Sequence, residues 1–338
     1  MNVMQHGPND DVAAIWQELP LDAWRDTCDT LHMWTQVVGK VKLELCPFLN
    51  EWWETALQLG PRGLSTSTIP FARGVFAIDF DFVDHNLYIR ASDGGFKALP
   101  LMPRSVADFY AECEAALRSL GIDVNFNTRP QQFQHSIPFE QDHEHAAYDP
   151  VYVERWWHIL TRVGVVMERY RSGFAGKSSP VQFYWGDFDL CVTRFSGKAA
   201  QPPKGANRRG RFTEDQENVT SGFWPGGVKY PKPAFYSYTY PAPDGYKAAG
   251  VRPTAARFDE KLSEFVLDYD EVRRAAHPEE MILEFLRSVY EVGATLAHWD
   301  RAALEQPGPD VGRNLGAHAG SPTDDPVPEE KNAAPKQK

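Results

Sequence analysis

Two aspartates, Asp79 and Asp81, stand two residues apart in an alternating run, and Asp84-His85 follow at once. Residues two apart on a strand share a face. Side-by-side carboxylates repel unless a cation or a substrate group lies between them. The quartet is therefore a candidate for binding a divalent metal through oxygen and imidazole ligands. The plainer reading has the aspartates facing water and Asp84-His85-Asn86 serving as a turn. A second cluster is His135, Asp142, His143, Glu144 and His145. His143 and His145 would point the same way in an extended segment, though no standard zinc spacing is present. His145 lies just before Tyr148-Asp149-Pro150, which reads as a rigid helix start. Asp79, Asp81, His143 and His145 are the metal candidates. His32, Asp79, Asp81 and His145 are the catalytic ones, His32 because it sits where a polar helix stripe meets an apolar arc and could exchange protons.

Ligand-binding candidates come from the second half of the chain. Lys177, Ser178, Trp185, Asp187, Asp189 and Arg194 surround a hairpin. A lysine at a helix end with an arginine on a strand suits a carboxylate or phosphate. Trp224 lies in Gly222-Phe223-Trp224-Pro225-Gly226-Gly227, where glycines around an aromatic suit a closing flap or a tight turn. Gly176-Lys177-Ser178 is not a phosphate loop, because the order there is helix then strand. The chain carries no nucleotide or dinucleotide motif, nucleophile elbow or HExxH sequence.

The elements that must position these residues follow from periodicity. Leu21, Trp24, Cys28, Leu31 and Val38 recur at helical spacing, and Gly39-Lys40 reads as the helix end. Glu54–Leu59, Val75–Phe82 and Leu87–Arg90 read as strands, the second with Phe76, Ile78, Phe80 and Phe82 alternating with polar residues. A helix follows from Ser105 to Leu120. The order then repeats, with a helix from Asp149-Pro150 to Gly173, strands at 181–184, 188–195, 235–240 and 264–267, and a helix from Pro278. Pro47 precedes Trp52 by five residues, and Pro180 precedes Trp185 by five. The expectation is an α+β fold of two related halves arisen by internal duplication, each an antiparallel sheet packed against long helices. The halves are 13–120 and 150–304, with a connector at 121–149 and a mobile insertion at 196–220. Residues 1–12 and 305–338 read as disordered. The two sheets would join or face each other, bringing Asp79, Asp81, Trp185 and Arg194 to a shared cleft.

Composition narrows the function classes. A net charge of −11 over 338 residues argues against nucleic acid or an anionic membrane as a partner. Ten tryptophans in a chain that is 42% hydrophobic can build a large core. No segment reads as a signal peptide or a membrane span. The four cysteines have neither CxxC nor zinc-finger spacing, which fits reduced thiols in a cytoplasmic protein.

Four motifs also carry a resemblance. They are Trp24-Arg25-Asp26-Thr27 with Leu31-His32-Met33-Trp34-Thr35-Gln36, Ile78-Asp79-Phe80-Asp81-Phe82-Val83-Asp84-His85, Pro103-Arg104-Ser105-Val106-Ala107-Asp108-Phe109-Tyr110, and Ser179-Pro180-Val181-Gln182-Phe183-Tyr184-Trp185-Gly186 with Thr193-Arg194-Phe195-Ser196-Gly197. Through them the chain resembles a bacterial family of uncharacterised proteins, the domain of unknown function DUF5996, over roughly residues 15–304. The resemblance implies one ancient unit and brings no activity, cofactor or catalytic residue. The expectation is a small-molecule-binding protein or enzyme with an aromatic and charged cleft between the halves. The alternative is a non-catalytic interaction or structural protein.

Overall fold

The computed structural model describes residues 15–133 and 136–305. The ends expected to be disordered lie largely outside this range, as does His135. The described residues form one compact α+β unit with two antiparallel six-stranded sheets.

Helix α1 (Leu21–Leu45) opens the unit. The first sheet follows: β1 (Gln58–Gly60), β2 (Gly63–Ser65), β3 (Ile69–Phe71), β4 (Gly74–Asp81), β5 (Asn86–Ala91) and β6 (Phe96–Pro100). Helix α2 (Val106–Ser119) closes this half. Its cap is Ser105, whose hydroxyl oxygen accepts from the Asp108 N–H at 3.0 Å. Helix α3 (Pro150–Ser172) starts on Asp149, which accepts from the Val151 N–H at 2.9 Å, with Pro150 in the first turn. The second half continues through β7 (Gln182–Tyr184), β8 (Asp189–Ala199), α4 (Arg208–Thr213), β9 (Gln216–Trp224) and β10 (Ala234–Tyr240). It ends with β11 (Arg257–Asp259), β12 (Glu264–Asp268) and helices α5 (Tyr269–Arg273), α6 (Pro278–Leu296) and α7 (Arg301–Leu304). Residues 196–220, expected as a mobile insertion, comprise the end of β8, a loop with a turn at Lys204-Gly205, α4 and the first part of β9.

Both halves run helix, six strands, helix, but the likeness stops at strand order. The first sheet is β1-β2-β4-β5-β6, with β3 beside β4; the second is β11-β12-β10-β9-β8-β7. The internal duplication therefore gains no support from the topology. The sheets do join: Leu57, just before β1, exchanges both backbone hydrogen bonds with Phe183 of β7, at 2.8 and 2.9 Å.

One core serves both halves. Trp156 of α3, with no exposed surface, touches Trp24 of α1, Phe82 after β4, Phe183 of β7 and Phe188. Phe76, Ile78, Phe80 and Phe82 are buried, as their alternation predicts. Each sheet turns one face to helices. In the second sheet that face carries Leu190, Val192, Val219, Phe223, Phe235, Phe265 and Leu267, all buried.

The Gly39-Lys40 pair does not end α1, which continues to Leu45. Gly39 answers a packing demand instead. A Cβ there would lie 2.3 Å from the Trp185 indole, and that ring is held by its own N–H, which donates to Thr55 O at 3.0 Å. Alanine favours a helix by about 1 kcal/mol over glycine, but overpacking costs about 1–3 kcal/mol. Gly39→Ala should therefore lower stability in urea unfolding, by up to about 2 kcal/mol. In a Trp185→Leu background the same change should become neutral or stabilising.

Candidate functional site

The face of the second sheet turned away from α3 and α6 carries a different chemistry. Period-two alternation places Asp189, Cys191 and Thr193 of β8 on that face, with Thr220 and Gly222 of β9 and Tyr236 and Tyr238 of β10. Tyr184 of β7 pairs with Asp189 and joins them. This face is the floor of a cavity of about 870 Å³. Its walls are the end of α1 and the residues after it (Leu43 to Phe48, then Trp52 to Thr55), the loop at Gln131-Gln132, and Trp185 to Asp187. Residues 207–213, including Arg208 and Arg209 of α4, form a roof.

Gly222 makes the floor possible. It pairs with Tyr236 across β9 and β10, and a Cβ at Gly222 would lie 2.4 Å from the Tyr236 ring. The ring therefore lies across the glycine, and Trp224 stacks on it with centroids 4.5 Å apart. In this position the Tyr236 hydroxyl donates to Asp189 Oδ2. The other oxygen, Oδ1, is buried and has no hydrogen-bond partner. Asp189 as a whole is 5% exposed. Burial first, then the neighbouring Asp187 charge, push its carboxyl up to about 7, while the Tyr236 bond and Arg209 pull the other way. Cys191, two residues on, has its thiol raised well above the ordinary range by burial and then by Asp189. It is thus an inert thiol, not a nucleophile.

The roof is tied to the floor and the wall. Arg209 donates to Asp187 Oδ2 at 2.8 Å, and Trp52 Nε1 donates to the Arg209 carbonyl at 3.1 Å. Glu214, just past α4, accepts from the Tyr238 hydroxyl at 3.2 Å and from Asn218 Nδ2 at 2.9 Å. Phe212 packs edge-on against Phe48 and Trp52.

Of the residues singled out from the sequence for ligand, catalytic or metal roles, Trp185, Asp187 and Asp189 line this cavity. His32 lies behind its wall. Its Nε2 is 3.1 Å from both Gly186 O and Gln36 Nε2, and its ring packs on Phe188. Burial holds its imidazole down to about 4, so it is neutral at ordinary pH and braces the turn at Gly186. Asp79 and Asp81 do not share a cation. Asp79 is held by Arg90 at 2.7 Å and Ser65 at 2.6 Å, and Asp81 by Arg62 together with the Val83 and Asp84 N–H groups. His145 contacts Asp142 at 2.8 Å, in a turn whose carbonyls accept from the first N–H groups of α2; His143 is exposed. Among the described residues, no three His, Cys, Asp or Glu side chains converge as a metal site.

Lys177 pairs with Glu51 at 3.2 Å and lies over the Phe195 ring. Arg194 does not reach the expected shared cleft. Alternation turns it to the helix side of β8, where its guanidinium lies over the rings of Tyr170, Phe174 and Tyr290 and donates to Tyr170 O. The cleft shared by Asp79, Asp81, Trp185 and Arg194 is thus replaced by a cavity that only Trp185 of the four lines.

Tyr236, Tyr238 and Glu214 were not picked out from the sequence. Their signal is Tyr236-Ser237-Tyr238-Thr239-Tyr240, an alternation that puts three tyrosines on one face opposite a strand glycine.

The sequence model of a family of unknown function, DUF5996, matches residues 16–306. The chain belongs to that family. Neither a curated protein nor a solved structure matches it. The match takes in every cavity residue of this DUF5996 member, from Leu43 to Tyr238.

The raised carboxyl makes stability depend on pH with a definite sign. Between about pH 4 and 7 the unfolded chain has released the Asp189 proton while the fold still holds it. Stability is therefore lost as pH rises through that window. Asparagine at 189 keeps an acceptor for Tyr236 and removes the charge. From pH 4 to pH 8, the stability difference between Asp189→Asn and wild type should move in the variant's favour by on the order of 2–4 kcal/mol. Denaturant unfolding at both pH values reads this directly, and parallel profiles would contradict it.

Proposed function

We propose that this DUF5996 protein binds a small molecule in the cavity over β7–β10, as a ligand-binding protein or an enzyme. The observation that carries the reading is Asp189. A carboxyl 95% buried with one unpartnered oxygen costs stability that its single bond from Tyr236 offsets only in part. Groups of that kind concentrate at functional sites. The setting agrees: about 870 Å³ is the size of a small-molecule site, with aromatic walls and a few convergent polar groups. The residues support binding more firmly than catalysis, since the nearby thiol is inert and His32 is committed to the wall.

The alternative, a non-catalytic protein that docks a partner, draws on Phe48 and Leu49, which are 44% and 52% exposed. Phe48 also lines the cavity and packs on Trp52 and Phe212. We therefore assign this apolar edge to the cavity mouth rather than to a separate interface.

The reading extends to the setting of the protein. No helix among the described residues is long and apolar enough to cross a membrane. All four cysteines are free thiols, which fits a reducing, cytoplasmic setting, and the net charge of −11 disfavours nucleic acid as a partner.

Soaking crystals with a fragment library of mixed charge tests the proposal. Bound fragments should gather over Tyr236 and Tyr238 within reach of Asp189. Fragments that leave this cavity empty while occupying other surfaces would overturn it.

A further inference from the structure

We propose that residues 201–214, with α4 at their centre, are a lid that swings off the cavity to admit a ligand and is latched shut by Phe212 against Phe48 and Trp52. The inference rests on the reading of the cavity as a ligand site and adds how that site is reached.

The bonding of this segment sets it apart from the sheet. Its neck is closed by the β8–β9 ladder, where Ala199 pairs with Gln216 and the Ala200 N–H donates to Asp215 O at 2.9 Å. Beyond the neck, α4 meets its own needs. Asn207 Oδ1 accepts from the Gly210 N–H at 3.0 Å, and the Arg211 and Glu214 N–H groups donate to Asn207 O and Gly210 O, both at 3.1 Å. A segment that satisfies its own backbone can move as a body without stranding polar groups. Pro202-Pro203 and Gly205, the last at φ 80°, make the bend between the neck and α4.

Little holds the segment down. α4 buries no residue. The Arg209–Asp187 pair is half-exposed on both sides, and such pairs contribute little. The bond from Trp52 Nε1 to Arg209 O lies at the surface, and Tyr238 and Tyr240 tie only the ends of the segment, at Glu214 and Gln201. The firmest hold is aromatic. The Phe212 ring lies 5.0 Å from Phe48 and 6.1 Å from Trp52, centroid to centroid, and is not part of the cavity lining. Regions with so few buried contacts open well below the cost of global unfolding.

The other side of the latch is strained. Glu51 and Trp52 are consecutive residues at φ 64° and 60°, a left-handed conformation unfavourable to both. It lets the buried Glu51 carboxylate pair with Lys177 at 3.2 Å while the Trp52 ring meets the lid. Strain of this kind collects at ligand clamps and switch regions, and lids of this kind shield a bound ligand from water.

The chain carries its own probes. Cys191 lies on the cavity floor beneath the lid, whereas Cys28 and Cys113 are buried in the core. Labelling of the native full chain with N-ethylmaleimide, followed by peptide mass spectrometry, reads all three at once. Lid opening gives Cys191 a route that needs no global unfolding, so it should react at least about tenfold faster than the core pair. Phe212→Ala should raise the ratio of the Cys191 rate to the core rates by a further ten- to a hundredfold, roughly, through loss of two aromatic contacts. A general loss of stability raises all three rates together, so the ratio isolates the lid. A Cys191 rate as slow as the core in both proteins would mean a fixed roof, and a fast rate indifferent to Phe212→Ala would mean a permanently open mouth. Either result overturns the lid and leaves the cavity standing. Fragment soaking tests the cavity separately, and its failure would remove the ligand site whatever the labelling shows.

Discussion

The aromatic junction around Trp156 is the constraint on which the rest depends. One indole from α3 touches α1, the residue that follows β4 in the first sheet and the start of the second sheet. Phe183, one of its partners, also makes the only backbone bridge that the structure places between the sheets among the described residues. Large buried aromatics dominate core energetics, and a close-packed interior transmits displacement. The position of β7 is thereby fixed relative to α1. Because β7 leads through Trp185 and Asp187 into β8, the same junction sets the cavity wall and places Asp189.

The second sheet then has two unlike faces. One is apolar and takes α3 and α6, with Gly293 letting α6 approach Thr239 so closely that a Cβ would lie 2.1 Å from its hydroxyl oxygen. The other is polar, aromatic and covered by chain rather than by a helix layer. A polar sheet face is usually left to water. Here the residues between β8 and β9 fold back over it, so its groups must satisfy one another. Tyr238 and Glu214 do, Thr193 and Thr220 do, and Asp189 does only in part. Glu264, two residues before the Val266 that pairs with Tyr236, likewise keeps a buried oxygen without a partner, and these shortfalls make a covered face a candidate site.

Much of the scaffold was legible in the sequence. Helical periodicity in 21–38, the Asp149-Pro150 start and the alternation in 75–82 depend on local rules, and the structure follows them. Gly39 misled because a glycine near a helix end and a glycine beneath a packed indole look alike in one dimension. Asp79, Asp81, His145 and Arg194 drew attention by residue type. Their partners, Arg90, Arg62, Asp142 and the aromatic rings around Arg194, range from three to nearly a hundred residues away, and pairing decides whether a charged residue is spent. Spacing reports helix–sheet–helix order and nothing finer, and that order alone suggests a repeat. Strand order, which differs between the sheets, depends on pairings far apart in the chain.

The account rests on Asp189 being a desolvated carboxyl left short of a partner. Carboxyl-carbon NMR on aspartate-labelled protein, with Asp189→Asn to assign the resonance, reads its protonation directly. A midpoint near 7 is the predicted result. A midpoint at about 4, the value of a solvated aspartate, would mean that water or a protein donor already serves this carboxyl, and the case for the cavity as a binding site would lose its foundation.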